Sequence, residues 1–381
     1  MNSKIRSISN RVGRWLGMSL GLVAASLMVV GGAQAKDYGK PGDPIHLVVG
    51  YQPYYTESWS GVVMRGKQLW KKYLPKGSTV EFQIGLQGAI IVNAMLAGKE
   101  DIGYMGDMPA IVSTTKTRVA DIRMVAVPGY AWDQCNILIV RNDAPKFANP
   151  IDAFKWMNGK RVATAKGACS DRFLRASFKK LGIKPAEYLN QNIEVMTSGF
   201  KAGKLDAAVI WEPTASKIVQ EGIARRAGSG FNIQEHDGAF LNMRADLIKQ
   251  RPDVVKGWLK AELDAQQYMA NPKHAKEIAK IAAGYTTGFS TKEMWMAFTG
   301  KYPASQGGTD SRLILPFAFT PEIMDLIRKD TKFLHSVKSI NVSKLRPEAV
   351  MPEFANEILK ERGLTAPVGE VKSVPESDYN D

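Results

Sequence analysis

The 381 residues hold only two cysteines and four histidines, and that scarcity narrows the available chemistry. There is no C-x-x-C redox pair, and His46, His236, His274 and His335 are scattered without H-E-x-x-H or comparable metal spacing. Absent too are G-x-S-x-G, a Walker sequence and a dinucleotide fingerprint; GLQGAI lacks the G-x-G-x-x-G spacing. Beyond the first 35 residues nothing approaches a run of about eighteen apolar positions, so no spanning helix is expected there. A dense basic stripe is also missing. Lysines and arginines are interleaved with acids, as in EILKERG and KQRPDVVKGWLKAELD, which reads as solvated helix faces and not as a nucleic-acid surface. No cofactor is implied.

What is present begins with a leader. Lys4, Arg6, Arg11 and Arg14 precede the apolar run GMSLGLVAASLMVVGG and the small-x-small triplet Ala33-Gln34-Ala35, the pattern of a secretory signal cleaved before Lys36. Losing those four basic residues takes the formal charge from +14 to +10. The mature chain is therefore expected in an exported, oxidising compartment, a bacterial periplasm fitting best. In that setting the two cysteines, Cys135 and Cys169, are expected to form a disulfide.

Strands and helices then alternate. IHLVVGYQ (45–52), TVEFQIGL, DIGYMGD and IRMVAVPGY read as strands, separated by the helical patterns SGVVMRGKQLWKKYL, GAIIVNAMLAGK and MPAIVSTTKTRV. A second series follows: QCNILIVR, RVATAKG, QNIEVM, LDAAVIWE and a short strand near IARRAGSG, with IDAFKWMNGK, CSDRFLRASFKKLG, TSGFKAGK and PTASKIVQEG between them. From about residue 240 the pattern becomes chiefly helical. This organisation predicts an α/β protein with mainly parallel sheets. The expected division is a first lobe from 36–131 and about 235–366, a second lobe from 132–234, and a flexible tail over 367–381.

Ligands of open α/β sheets sit beyond the carboxyl ends of the strands. The residues expected at those corners are Gln52, Trp59, Gln87, Asp107, Trp132, Asp133, Ser170, Asp171, Trp211 and Glu212. Asp107 serves either as a helix cap for MPAIV or also as a ligand contact. Aromatic faces beside carboxylates favour a positive nitrogen, with guanidinium or an amine ahead of taurine, an alkanesulfonate, nitrate or another oxyanion. The spacing of Asp107, Asp171 and Glu212 matches no known metal loop, so no metal is expected.

The QIG-(x)2-G-(x)2-I segment, the DIGYMGDMPA corner, the A-x-x-K-G-(x)3-D-R-F helix start and DAAVIWEP together resemble the nitrate, sulfonate and taurine (NitT/TauT) group of ABC-transporter periplasmic solute-binding proteins. The resemblance covers roughly residues 45 to 250. It implies a two-lobed type II periplasmic-binding fold with a helical C-terminal portion. It also implies a monomer that closes on a small polar ligand by hinge motion and delivers it to a membrane permease and ATPase. Two other classes compete: an enzyme related to thiamine-pyrimidine biosynthesis, whose cysteine-rich segment and histidine are missing here, and a periplasmic sensor.

Overall fold

The computed structural model describes residues 36–379; the leader expected over 1–35 lies outside them. The strands of the first series are β1 (His46–Tyr51), β2 (Thr79–Ile84), β3 (Ile102–Gly106) and β4 (Ile122–Ala131). Those of the second are β5 (Ile137–Arg141), β6 (Arg161–Thr164), β7 (Glu187–Asn190), β8 (Ala207–Ile210) and β9 (Ala224–Ser229). β10 (Asp237–Arg244), β11 (Ser311–Leu315) and β12 (Gly369–Lys372) follow. They build two sheets, one per lobe, ordered β12-β11-β4-β10-β3-β1-β2 and β7-β6-β8-β5-β9.

Each sheet has a parallel part and an antiparallel part. β1 pairs parallel with β2 and β3, and β6 with β7 and β8, whereas β10 runs antiparallel between β3 and β4. The sheets are therefore mixed and not mainly parallel as expected, because β5, β10, β11 and β12 all pair antiparallel; β10 is also the main strand that the expected, chiefly helical return left out. All eight of its residues are buried, so it carries no polar alternation by which a strand would announce itself. β11 and β12 also come from the C-terminal portion, and Gly369–Lys372, within the segment expected to fray, pair with β11 at the sheet edge. A further difference falls at residues 187–196, where the strand is Glu187–Asn190 and not 191–196. Ile193 and Val195 alternate with polar neighbours like a strand, but the Asn192 side chain accepts from the Val195 N–H and starts the helix Ile193–Lys201.

The pleat of the central strands feeds two cores per lobe. In β3, Ile102 and Tyr104 join the cluster around Trp258 and Leu259, while Met105 joins the one around Ile91 and Met95. In β5, Leu138 and Val140 meet Phe154 and Phe173, and Ile137 and Ile139 meet Met196 and Phe200. The C-terminal helices Pro252–Ala270, Ala275–Gly284, Thr291–Thr299, Pro321–Ser336 and Glu353–Arg362 match their sequence periodicity.

The chain passes between sheets twice, at residues 132–136 and 230–236, and the two crossings touch. The Gly230 N–H donates to the carbonyls of Trp132 and Asn136, both at 3.0 Å, and Asn136 Nδ2 donates to the Glu235 carbonyl at 3.0 Å. A Cβ at residue 230 would lie 2.1 Å from the Glu235 carbonyl oxygen, so only glycine admits this approach. Cys135, in the first crossing, is disulfide-bonded to Cys169 at the start of the helix Cys169–Leu181, with Cα atoms 6.1 Å apart. Closing that 34-residue loop is worth about 3 to 4 kcal/mol in chain entropy. Reduction under native conditions should lower the urea stability by that order, measured as the shift in unfolding midpoint with and without reductant.

Candidate functional site

The strand ends of both lobes surround an inner cavity of about 230 Å³, and beside it lies an outer chamber of about 710 Å³. Gln87 and Trp211 line both. Three helix N-termini reach the inner cavity. Gln87, Gly88 and Ala89 open the helix Gly88–Leu96; Gly106 and Pro109 belong to the start of Asp107–Thr114; Ala168 and Cys169 open Cys169–Leu181. None of these ends has a side-chain bond from its cap position; at the second, the Met108 N–H is taken by Asp107 Oδ1 and Pro109 has none, so the N–H groups without a capping side chain are those that start Gly88–Leu96 and Cys169–Leu181. The first two ends come from one lobe and the third from the other.

The remaining wall is Gln52, Tyr55, Val92, Asn93, Val112, Ala165, Lys166, Gly167 and Trp211. No Asp or Glu is among the lining residues. Gln52 Oε1 is buried without a hydrogen-bond partner, and Trp211 is oriented by its indole N–H, which donates to the Tyr54 carbonyl at 3.1 Å. The Cys135–Cys169 disulfide packs with Tyr55, Trp211 and Ala239 at the base of the site. Val92 and Asn93 lie one helical turn after Gly88 and Ala89, on the same face as that helix end. That spacing was the available signal for these two residues, which the strand-end rule passed over.

The other residues expected at the cleft lie elsewhere. Trp59 is a core residue beside Phe298, its indole N–H donating to the Pro53 carbonyl at 3.0 Å. Trp132 stacks on His236 at the crossing. Asp133 and Glu212 are fully buried in an ion network. Arg226 Nη2 donates to Asp133 at 2.6 Å, Arg312 Nη2 donates to Glu212 at 2.9 Å, and Arg312 Nη1 also reaches Asp133. The Ser216 N–H and hydroxyl donate to Glu212 as well, at 2.8 and 2.9 Å. Glu212 is thus partnered inside the fold.

Ser170 and Asp171 stand just behind the wall. The Ser170 hydroxyl lies 2.8 Å from Thr164 Oγ1. Asp171 accepts from the Gly167 N–H at 3.0 Å, from Arg175 Nε at 2.7 Å and from the Tyr188 hydroxyl, so it holds the 165–168 loop in shape. Asp107 is the first residue of its helix, with Gly106 as the cap position; its Oδ1 accepts from the Met108 N–H at 2.6 Å. It belongs to a buried group with Glu57, Asp237 and Asp330, around Arg172. Arg172 Nη1 donates to Glu235 at 2.7 Å, Nη2 donates to the His236 carbonyl, and Nε lies 2.8 Å from Asp330. The chain itself thereby supplies a guanidinium to the carboxylates that favoured a cationic ligand.

One arginine cannot neutralise four acids. Burial, reinforced by the neighbouring carboxyls, raises Glu57 and Asp330 well above the usual carboxylate range, and burial also raises Asp237. Among the described residues no three His, Cys, Asp or Glu side chains converge as metal ligands. No helix among them is long and apolar enough to cross a membrane.

With this geometry in view, the comparisons define a class and then a family. The two-lobed fold is that of periplasmic binding proteins. It overlays the alkanesulfonate-binding protein SsuA from Xanthomonas axonopodis pv. citri bound to MOPS, with a TM-score of 0.63, 18% identity, and 82% of this chain and 99% of that one covered. It also overlays the nitrate-binding protein NrtA from Synechocystis PCC 6803, with a TM-score of 0.65, 16% identity, and 85% and 90% covered. Residues 40–283 match the NMT1-like family, and the chain belongs to it. A taurine-binding periplasmic protein of Escherichia coli (strain K12) is 27% identical over 216 residues, spanning 54% of this chain and 64% of that protein.

The buried acids predict a pH dependence. Burial raises Glu100 to about 8, with Asp101 adding to the shift, and burial raises Glu262 to about 7, whereas unfolded glutamates titrate near about 4.3. Between those values the folded chain holds more protons than the unfolded one, so stability falls as pH rises through the interval. Burial, with Arg172 nearby, lowers His236 to about 3, which works oppositely, but only below the ordinary histidine value of about 6.5. Depressed acids such as Asp206 and Asp246 are already ionised there and add no slope. The melting temperature should therefore drop from pH 6.5 to 8.5, and Glu100→Gln should flatten that drop in a melt series.

Proposed function

We propose that the chain is a periplasmic solute-binding protein that captures a small oxyanion-bearing ligand, a sulfonate foremost, between its lobes. One observation carries this reading: three uncapped helix N-termini line one cavity whose wall contains no carboxylate. The starts of Gly88–Leu96 and Cys169–Leu181 offer N–H groups without a capping side chain, and all three ends carry about half a positive charge, which favours an anion. Lys166 also lines the wall, with its Nζ donating to the Tyr188 carbonyl at 3.2 Å and lying over the Tyr188 ring. A guanidinium or amine would meet the amide oxygens of Gln52, Gln87 and Asn93 and the faces of Tyr55 and Trp211, but three positive dipole ends and no carboxylate. The taurine, nitrate and alkanesulfonate binders among the relatives favour the same ligand class. Release to a permease and ATPase pair, action as a monomer, and capture without turnover belong to this reading; fold by itself does not separate a binder from an enzyme.

The test is a thermal-shift screen of refolded, ligand-stripped protein against taurine, alkanesulfonates, nitrate, bicarbonate and guanidinium. A ligand at about a hundred times its Kd adds about 2.7 kcal/mol, a clear shift. Sulfonates should shift the melt and be recovered chemically unchanged by mass spectrometry. Ala168→Asp would place a carboxylate at the cap of Cys169–Leu181, occupying the N–H groups meant for the ligand. This variant should fold at least as stably and bind sulfonates more than tenfold more weakly. A shift with guanidinium alone would overturn the assignment.

A further inference from the structure

The inner cavity is too large and too apolar for an inorganic ion alone. A four- or five-atom oxyanion displaces about three waters, each with a share of about 30 Å³, leaving more than half of the roughly 230 Å³ unfilled. Beside the amides of Gln52, Gln87 and Asn93, that wall has an apolar part made by Val92, Pro109, Val112, Cys169 and the Trp211 ring. Such a wall binds carbon, with the polar groups fixing orientation.

The outer chamber shares Gln87 and Trp211 with this cavity and adjoins it there. The outer chamber is lined by Leu86, Ile90 and Phe289 from the first lobe and by Ile193 and Ile218 from the second. Leu86 and Ile90 are 54% and 48% exposed, and both face this chamber. Single exposed hydrophobics need no explanation, but two large ones converging with an aromatic ring on a concave surface mark a contact surface. The cation there, Lys217, is already engaged, with its Nζ on the Gly288 carbonyl and 4.7 Å from the Phe289 ring. Glu194 lines the same chamber and would repel a second anionic group.

We propose that the preferred ligand is an organic monoanion whose apolar body, an alkyl chain or ring of about six carbons or more, occupies the outer chamber. Leu86, Ile90 and Phe289 set that preference. This deepens the anion reading above and rests on it: the head group lies on the three helix ends, and the body threads past Trp211. Short zwitterions and inorganic oxyanions would fill only the head position.

Titration calorimetry on the refolded full chain, with methane-, butane-, hexane- and octanesulfonate plus taurine and nitrate, tests the length preference directly. Each buried methylene is worth about fourfold in affinity at full burial, so hexanesulfonate should bind at least tenfold more tightly than methanesulfonate. Ile90→Ser, at a half-exposed position that the fold does not depend on, should flatten the gradient with chain length, as should Phe289→Ala. A flat series, or nitrate or taurine binding as tightly as hexanesulfonate, overturns the proposed body site while leaving the anion site standing. Failure of every anion to bind overturns the anion reading and this proposal with it.

Discussion

Two acids and two arginines, sealed between the sheets, fix how the lobes meet. Asp133 comes from the first crossing, Glu212 from the end of β8, Arg226 from β9 and Arg312 from β11, and none is more than about 2% exposed. Charges balance within the group, and the Tyr302 ring lies under both guanidiniums, 4.3 and 5.3 Å from their carbons. Such a network adds little net stability over a well-packed apolar cluster, yet removing one member leaves an unpaired buried charge at a cost of about 3 to 5 kcal/mol. It therefore acts as a register pin: both crossings and both sheets are held to one arrangement, and the strand ends that carry the site inherit it.

That constraint explains the chemistry left at the cavity. Carboxylates at strand ends look available in a sequence, but here they are engaged by arginines of the same chain. Asp133 and Glu212 face Arg226 and Arg312, and Asp107 and Asp330 face Arg172. Once those pairs form, the polar groups that remain open to the inner cavity are chiefly backbone N–H groups at helix starts, with Gln52, Asn93 and Lys166 in support.

The alternation of strands and helices was legible because its periodicities differ, and the C-terminal helices were legible for the same reason. β10 was not, because a strand buried on both faces between two others shows no alternation. At the site, Gln52, Gln87 and Trp211 follow from the rule that ligands gather beyond strand ends. The roles of the acids did not follow, since their partners are remote: Asp133 is 93 residues from Arg226 and 179 from Arg312. Backbone donors are invisible in principle, because an uncapped helix start is signalled only by the lack of a capping side chain, as at Ala168.

The opposed helix starts have a mechanical consequence. Two positive dipole ends belong to one lobe and the third to the other, so with nothing between them they push the lobes apart, weakly and over the short range at which such ends act. A negative charge placed among them reverses the sign of that force. The ligand would then do more than occupy the cleft: it would be the counter-charge without which the shut form is electrostatically disfavoured. On the proposed reading, a neutral molecule of identical shape would leave the repulsion in place, so charge would be a condition for closure, separate from fit.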